Sequence, residues 1–176
     1  EIIDDLKEFN LITLKPVIYV CNVDEKSILE GNKFTNDLSE SIKEDIILIS
    51  AEIESQISSL SSADQAEYLE SLGLKQSGLN KIIKSGYQIL SLITYFTSGE
   101  QETRAWTVTS GSKAPDAAGK IHSDFQSGFI RAETISYDDF VECDGEIKAK
   151  ELGKMRSEGK EYVVQDGDVM HFLFNN

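Results

Sequence analysis

The chain has 176 residues, which suits one or two small domains that can bury a real core. Its net charge of −14 argues against nonspecific binding to nucleic acid through the overall field, so we expect no DNA partner. No apolar run approaches the roughly 20 residues that cross a bilayer, and from the acidic first residues we expect neither a signal nor a transit peptide. We therefore expect a cytoplasmic, non-membrane protein, with a monomer favoured over an oligomer.

The first residue is Glu rather than Met, so we expect the chain to begin within a longer protein. The only two cysteines, Cys21 and Cys143, lie far apart, and neither has a neighbouring His or Cys at metal-ligand spacing. We therefore expect no metal site and no disulfide, in keeping with a reducing compartment.

The first part of the chain has the pattern of a parallel α/β sheet. Residues 2–9 are predicted to end a helix, and the apolar run 17–21 is predicted to be a strand buried on both faces. Leu38 and Ile42 then mark a short amphipathic helix, and 46–49 forms a second buried strand. Strand, helix and strand within about 35 residues form the repeating unit of a parallel sheet.

Two further helices follow the second strand. Ser62 and Gln65 form a capping-box pattern, and apolar residues from Leu79 to Leu90 lie on one face of a longer helix. From residue 92 onward the pattern changes to short β-rich runs separated by turn signals: Leu92–Thr97, Arg104–Thr109, Phe129–Ile135, Tyr162–Val164 and Val169–Phe174. Pro115 predicts the start of a helix over 116–122, so this part is expected to be a small α+β domain.

Polar motifs follow both strands of the first part. Asn22-Val23-Asp24-Glu25 follows the first strand, and Ser50-Ala51-Glu52 follows the second. Ligands of doubly wound sheets bind just beyond the carboxyl ends of strands, so the two motifs are expected to face one pocket. An Asn amide there can bond a base and join adjacent loops, and a carboxylate can accept from ring N–H groups. The alternative is that these are ordinary turn residues.

The whole chain resembles the C-terminal half of the YchF-type, or Obg-like, ATPases, which are P-loop NTPases. The resemblance lies in an ordered series of short stretches: Leu14-Lys15-Pro16, Asn22–Glu25, Ser50–Glu54, Gly78-Leu79-Asn80, Tyr95–Gly99, Arg104–Thr107, Ala117–Phe125, Gly128–Glu133 and Asp166–Val169. It implies that 1–91 is the end of an NTPase domain with a helical connection. It implies that 92–176 is a TGS domain, an α+β module with the ubiquitin-like β-grasp fold.

The same resemblance implies a site for a nucleotide base. Guanine-specific relatives carry Asn-Lys-x-Asp, whereas here Val23 replaces the Lys and Glu25 replaces the Asp that accepts from guanine. The implied base-binding residues are Asn22, Val23, Glu25, Ser50 and Ala51. We expect ATP to be favoured over GTP, with a main-chain carbonyl near Val23 accepting from the adenine amine.

The chain carries no Gly-x-x-x-x-Gly-Lys-Ser/Thr loop, and no Asp-x-x-Gly motif directly follows a predicted strand. The intact protein is expected to be a nucleoside triphosphatase that uses ATP or GTP with Mg²⁺. Without a grip on the phosphates, the chain by itself is expected to bind nucleotide weakly and to have no hydrolytic activity and no catalytic residue.

The second part is predicted to bind rather than to catalyse. His122 is expected to orient a turn, Trp106 to pack in the core, and His171 to face solvent or a partner. A basic run is the strongest binding candidate, as either a solvated helix face or a contact with the ribosome or ribosomal RNA; it comprises Lys148, Lys150, Lys154, Arg156 and Lys160.

Three interpretations of function remain at this point. The leading one is the C-terminal part of a ribosome-associated ATPase of the YchF type. The second is a non-catalytic TGS adaptor that binds RNA or the ribosome. The third is an appendage of a synthetase or a ppGpp enzyme, and the motifs at Asn22 and Ser50 argue against it.

Overall fold

The computed structural model describes residues 6, 8–42, 44–99 and 101–175. The chain divides into two compact units, Glu1–Ile89 and Leu90–Asn176. This division lies close to the predicted boundary at residues 91 and 92, while the domain types assigned to the two units stay a prediction. The helix predicted over 2–9 lies largely outside the described residues.

The first unit is built on two parallel strands. Strand β1 (Tyr19–Asn22) pairs in parallel with β2 (Ile46–Ile49), and Asn22 lies opposite Ile49 at the carboxyl end. Short 3-10 turns span Ile12–Leu14 and Glu25–Ser27, and the helices are α1 (Lys33–Ile42), α2 (Ala51–Ser58), α3 (Ser62–Ser71) and α4 (Gly78–Ile89). The expected α/β arrangement with parallel strands is confirmed.

The core of this unit lies beneath the strand ends. It joins Val23 and Ile28, which follow β1, to Ile53 and Ile57, which lie one turn apart on α2. Because these four side chains are buried, they fix the start of α2 against the loop that follows β1. The packing therefore places both polar motifs at one end of the strand pair.

Two details of the first unit differ from the sequence predictions. Strand β1 alternates between half-buried and exposed residues, with Val20 exposed, so within the described residues it is not buried on both faces. The cap of α3 is Ser61 rather than Ser62, because its hydroxyl accepts from the amide of Asp64. Gln65 instead donates its side-chain amide to the carbonyls of Ile57 and Leu60.

The second unit is a five-stranded mixed sheet in the order β4-β3-β7-β5-β6. Strands β3 and β4 form a hairpin, β7 runs parallel to β3, and β5 is antiparallel to both β7 and β6. The strands are β3 (Leu92–Ser98), β4 (Thr103–Thr109), β5 (Phe129–Ser136), β6 (Arg156–Glu158) and β7 (Asp168–Phe174). The helices are α5 (Ala114–Ile121), α6 (Ser123–Ser127), α7 (Tyr137–Glu142) and α8 (Glu146–Glu151).

Helix α5 packs on one face of this sheet through small residues. Ala114, Ala117 and Ala118 are fully buried and belong to the same core cluster as Tyr95. The Tyr95 hydroxyl donates to the Ala117 carbonyl at 2.7 Å, which joins the sheet to the helix. Burial raises the pKa of this hydroxyl above its usual range, so the hydroxyl stays protonated and donates.

The strand predicted over Tyr162–Val164 is wrong. Of this segment, Val163 forms only an isolated bridge with Lys113, and the fifth strand is instead β6. Strand β6 has the sequence Arg-Ser-Glu, and such a polar edge strand shows no apolar alternation. No helix in the described part of the chain is both long enough and apolar enough to span a membrane.

The close packing of Gly128 against the backbone of Asn175 can be tested by substitution. The Asn175 amide donates to the Gly128 carbonyl at 2.9 Å, and a methyl group at position 128 would collide with the Asn175 backbone carbonyl. Gly128→Ala should therefore lower the free energy of unfolding by about 1–3 kcal/mol in a denaturant titration. Gly159→Ala is the matched control, because nothing surrounds its added methyl group. Equal stability of the two variants would contradict this packing.

Candidate functional site

The two polar motifs of the first unit meet at the ends of β1 and β2. The Asn22 side-chain oxygen accepts a hydrogen bond from the Ala51 amide at 3.0 Å, across 29 residues of sequence. One residue further, the Val23 amide donates to the Ile49 carbonyl at 2.8 Å and extends the parallel pairing. The loop after β1 and the first turn of α2 are thus joined directly.

The five predicted base-site residues differ in what they expose. Asn22, Glu25 and Ala51 are exposed, whereas Ser50 is 2% exposed and Val23 is 9% exposed. Because the Val23 side chain packs in the core, only its main chain can meet a ligand. The structure therefore brings Asn22, Ser50 and Ala51 together and places Glu25 in the adjoining 3-10 turn.

Two acidic residues to which the sequence pattern assigns no role support these loops. Asp24 accepts from the Ser27 amide at 2.9 Å and so caps the turn that begins at Glu25. Glu54 lies one turn after Ser50 and accepts from the Gly78 and Leu79 amides at 2.7 and 3.3 Å. An Asp before a turn is a recognisable signal, but nothing local points to the partners of Glu54.

Close approach is the reason for Gly78 at the start of α4. A methyl group on Gly78 would lie 2.7 Å from Ile49 Cγ2 and 2.9 Å from Glu54 Oε1. Both contacts are shorter than carbon–carbon or carbon–oxygen packing allows. The glycine therefore lets α4 begin against β2 and against the Glu54 carboxylate, which is a favourable neighbour for a helix N-terminus.

The two histidines and the tryptophan of the second unit occupy a helix cap, an exposed strand position and the edge of the core. His122 caps α6, because its Nδ1 accepts from the Asp124 amide at 3.2 Å. Trp106 packs against the main core, donates to Thr97 Oγ1 at 2.9 Å and carries Arg104 over its ring at 4.2 Å. His171 is exposed between two buried neighbours on β7. Each position agrees with its predicted place.

The basic run is not one helix face. Lys148 and Lys150 lie on α8, while Arg156 belongs to β6 and the remaining two lysines lie in loops. Lys148 pairs with Asp144 at 2.9 Å and lowers the pKa of that carboxyl. Lys154 pairs with Asp139 at 3.0 Å; a hydrogen bond from Ser136 and then this lysine lower the pKa of Asp139.

Arg156 is committed to a buried carboxylate. Asp168 is 2% exposed and accepts from the Tyr162 hydroxyl at 2.6 Å, from the Gln165 amide at 2.9 Å and from Arg156 at 3.4 Å. A buried charge of this kind is tolerated only when it is paired and hydrogen-bonded. Arg156 therefore has a structural role, and Lys150 and Lys160 are the exposed members of the run without an ion pair among the described residues.

Metal-binding groups do not converge in the part of the chain that the structure describes. No cluster of three or more His, Cys, Asp or Glu residues there could hold a metal ion. Cys21 is half-buried and Cys143 is buried, and both are free thiols. Fold and site together define a two-unit α/β protein whose first unit carries linked polar motifs at the carboxyl ends of two parallel strands.

Comparison with known proteins gives the family. Residues 92–175 match the family model YchF-GTPase_C, described as a protein of unknown function (DUF933). The chain is 49% identical over 173 residues to the ribosome-binding ATPase YchF of Haemophilus influenzae, covering 97% of this chain and 47% of that protein. It is 50% identical over 175 residues to the protein of the same name from Bacillus subtilis, covering 97% and 48%.

The chain is also similar in structure to solved proteins. The chain superposes on the YchF GTPase of Schizosaccharomyces pombe with a TM-score of 0.86 at 35% identity, covering 97% of this chain and 46% of that one. A GTP-binding protein from Pyrococcus horikoshii shares the fold alone, with a TM-score of 0.61 at 19% identity over 92% of this chain and 46% of that one.

The chain belongs to the YchF family, and it spans about half the length of the curated relatives it matches. The relatives' names differ in the nucleotide, since the bacterial proteins are called ATPases and the yeast protein a GTPase. These names therefore assign no base preference to this chain.

The Tyr162–Asp168 contact has a consequence at alkaline pH. Burial first and the bond to Asp168 second raise the pKa of Tyr162 from 10.0 to about 12. The folded state holds this proton more tightly than the unfolded state does. The protonated Tyr162 hydroxyl therefore contributes fully to the free energy of unfolding below pH 10.0, and this contribution is lost as the pH rises to about 12. The unfolding free energy, measured by urea titration, should fall over that window, and Tyr162→Phe should reduce the fall. An unchanged slope in the variant would contradict this assignment.

Proposed function

We propose that the first unit forms the base-recognition side of a nucleotide site in a P-loop NTPase, and that the second unit is a TGS module that contacts the ribosome. One observation carries the first half of the proposal: the 3.0 Å hydrogen bond from the Ala51 amide to Asn22. It holds the two strand-end motifs where a ligand of a parallel sheet binds. An Asn that serves only its own turn would not reach a residue 29 positions away.

A preference for adenine follows from the shapes of the two bases. Guanine presents two adjacent N–H donors, which a short carboxylate accepts together, and Glu25 is one methylene too long for the Asp geometry. Adenine presents an exocyclic amine, which needs a single acceptor such as a main-chain carbonyl. The burial of Val23 supports this assignment, because its side chain leaves the adjacent main chain as the group that can face the base.

Phosphate binding requires residues beyond those of this chain. In P-loop enzymes a glycine-rich loop holds the phosphates, and a bound Mg²⁺ neutralises their charge during transfer. The sequence of this chain has no such glycine-rich loop. We infer that this chain orients the base and that hydrolysis, by ATPase chemistry in the intact protein, depends on that loop.

The arrangement of the second unit supports a TGS-type β-grasp. Its β3–β4 hairpin is followed by helix α5 and by β5, and β7 then returns to the centre of the sheet parallel to β3. The sheet thus holds one helix on one face through buried alanines. A ring nitrogen of His122 is occupied as the cap of a helix, so binding rather than catalysis is the role that we propose.

The proposed ribosome contact depends on two lysines of the basic run that have no ion pair among the described residues. The relatives are named ribosome-binding ATPases, and we propose the ribosome as a partner of this chain as well. Lys150 and Lys160 are exposed, while Lys148, Lys154 and Arg156 are held by carboxylates. A chain of net charge −14 repels RNA overall, so contact has to depend on such local cations.

Base preference is tested in the intact protein. We expect tighter binding of ATP than of GTP, and Glu25→Asp should shift the affinity ratio toward GTP by about tenfold, the scale of a hydrogen bond to a charged group. Calorimetric titration with each nucleotide measures this ratio. Glu52→Asp, at an exposed position on the first turn of α2, is the control. Equal affinity of the unsubstituted protein for ATP and GTP would refute the preference.

Ribosome contact is tested by charge reversal at Lys150 and Lys160, the lysines of the basic run that form no ion pair with a described residue. The double variant Lys150→Glu with Lys160→Glu should lose co-sedimentation with ribosomes. In each single variant, the slope of log affinity against log salt concentration should fall in magnitude by about one. The matched control reverses Lys33 and Lys120, which are exposed and lie outside the basic run. Arg156→Glu is unsuitable, because it would leave Asp168 buried without its cation. Binding retained by the double variant would exclude these lysines as the contact.

A further inference from the structure

The outer edge of β2 carries peptide groups that form no backbone hydrogen bond to another described residue. In a strand, the N–H and C=O of one residue point to the same side, and successive residues alternate. The Ile49 carbonyl accepts from Val23 and therefore points toward β1. The peptide groups of Ile46 and Leu48 consequently point away from β1. Among the described residues, β1 is the only strand that pairs with β2.

A groove of about 470 Å³ runs along this edge. Ile46, Ile47 and Leu48 all line it, although neighbouring strand residues project to opposite faces of a sheet. The groove therefore lies beside the edge rather than over one face. Ile28 and Leu29 form part of its border, and Gln76 and α4 provide the rest.

The charge of the groove is opposite to that of the chain. Lys81 and Lys84 of α4 line it, and their spacing of three residues places them on the same side of the helix. The Lys84 ammonium donates to Gln76 Oε1 at 3.0 Å, another group of the same groove. No carboxylate is among the described residues that line the groove, although the chain has 31 Asp and Glu residues against 17 Lys and Arg.

We propose that this edge is a docking site for an extended acidic segment of a partner protein, which adds to β2 as a third strand. The main chain of the segment pairs with the exposed peptide groups of Ile46 and Leu48, its apolar side chains pack beside Leu29, and its carboxylates meet Lys81 and Lys84. Main-chain pairing supplies affinity and the two lysines select the charge of the segment.

Other occupants fit these features less well. A second copy of the chain would bring its own Lys81 and Lys84 into the same region, and like charges would face each other across the edge. RNA would match the lysines but offers no strand of peptide groups to β2. An acidic peptide satisfies both requirements, because it supplies alternating backbone donors and acceptors together with negative charge.

The probe is a labelled heptapeptide in which Glu and Val alternate, titrated into the 176-residue chain by fluorescence anisotropy. We expect it to bind, and we expect the Ile46 and Leu48 amides to gain protection from hydrogen exchange. The same peptide with Lys in place of Glu should not bind, and neither should a form with methylated backbone nitrogens, which cannot pair as a strand.

Matched variants separate this site from general charge effects. Lys81→Glu should weaken binding of the Glu-Val peptide by about tenfold, whereas Lys33→Glu, an equal reversal on α1, should leave it unchanged. The proposal is overturned by absence of binding, by equal binding of the Lys peptide or by full binding of the methylated form. Self-association that protects the same amides without peptide would also overturn it, in favour of a second copy.

Discussion

The hydrogen bond between Asn22 and the Ala51 amide is the constraint on which the first unit depends. Ser50 stands at the N-cap of α2 but makes no side-chain cap bond, so Asn22 satisfies an amide that the helix itself leaves open. Glu54 then does the same for the first two amides of α4. Helices α2 and α4 are thus each capped by a side chain from an earlier element. These long-range caps connect β1 to α2 and α2 to α4.

The second unit uses a buried carboxylate in a comparable way. Asp168 begins the central strand β7 and accepts hydrogen bonds from a hydroxyl, an amide and a guanidinium. Two residues earlier, Asp166 accepts from the Thr94 amide at 2.8 Å. Between them, the Gly167 amide donates to the Thr94 carbonyl at 2.8 Å, with a φ of 84° that favours glycine. This short stretch fixes the start of β7 beside β3, on which the order of the sheet depends.

Apolar patterning predicted most of the fold, and the remainder depends on partners distant in sequence. The continuous apolar run Ile46–Ile49 predicts β2, and the helical periodicity from Leu79 to Leu90 predicts α4. Strand β6 was missed because its three residues are polar, and Tyr162 was assigned to a strand because β-propensity does not reveal its bond to Asp168. In the site, strand ends predicted the positions of Asn22 and Ser50. The contact of Glu54 with Gly78 could not be predicted, since only folding brings them together.

Trp106 gives the two units different optical properties. It is the only tryptophan of the chain, and it lies on β4 of the second unit beneath the Arg104 guanidinium. Its indole N–H is bonded to Thr97 on the neighbouring strand, so its emission depends on the integrity of the β3–β4 hairpin. Tryptophan fluorescence therefore reports on the second unit alone, and unfolding of the first unit is silent unless it is followed through its tyrosines or its helical circular dichroism.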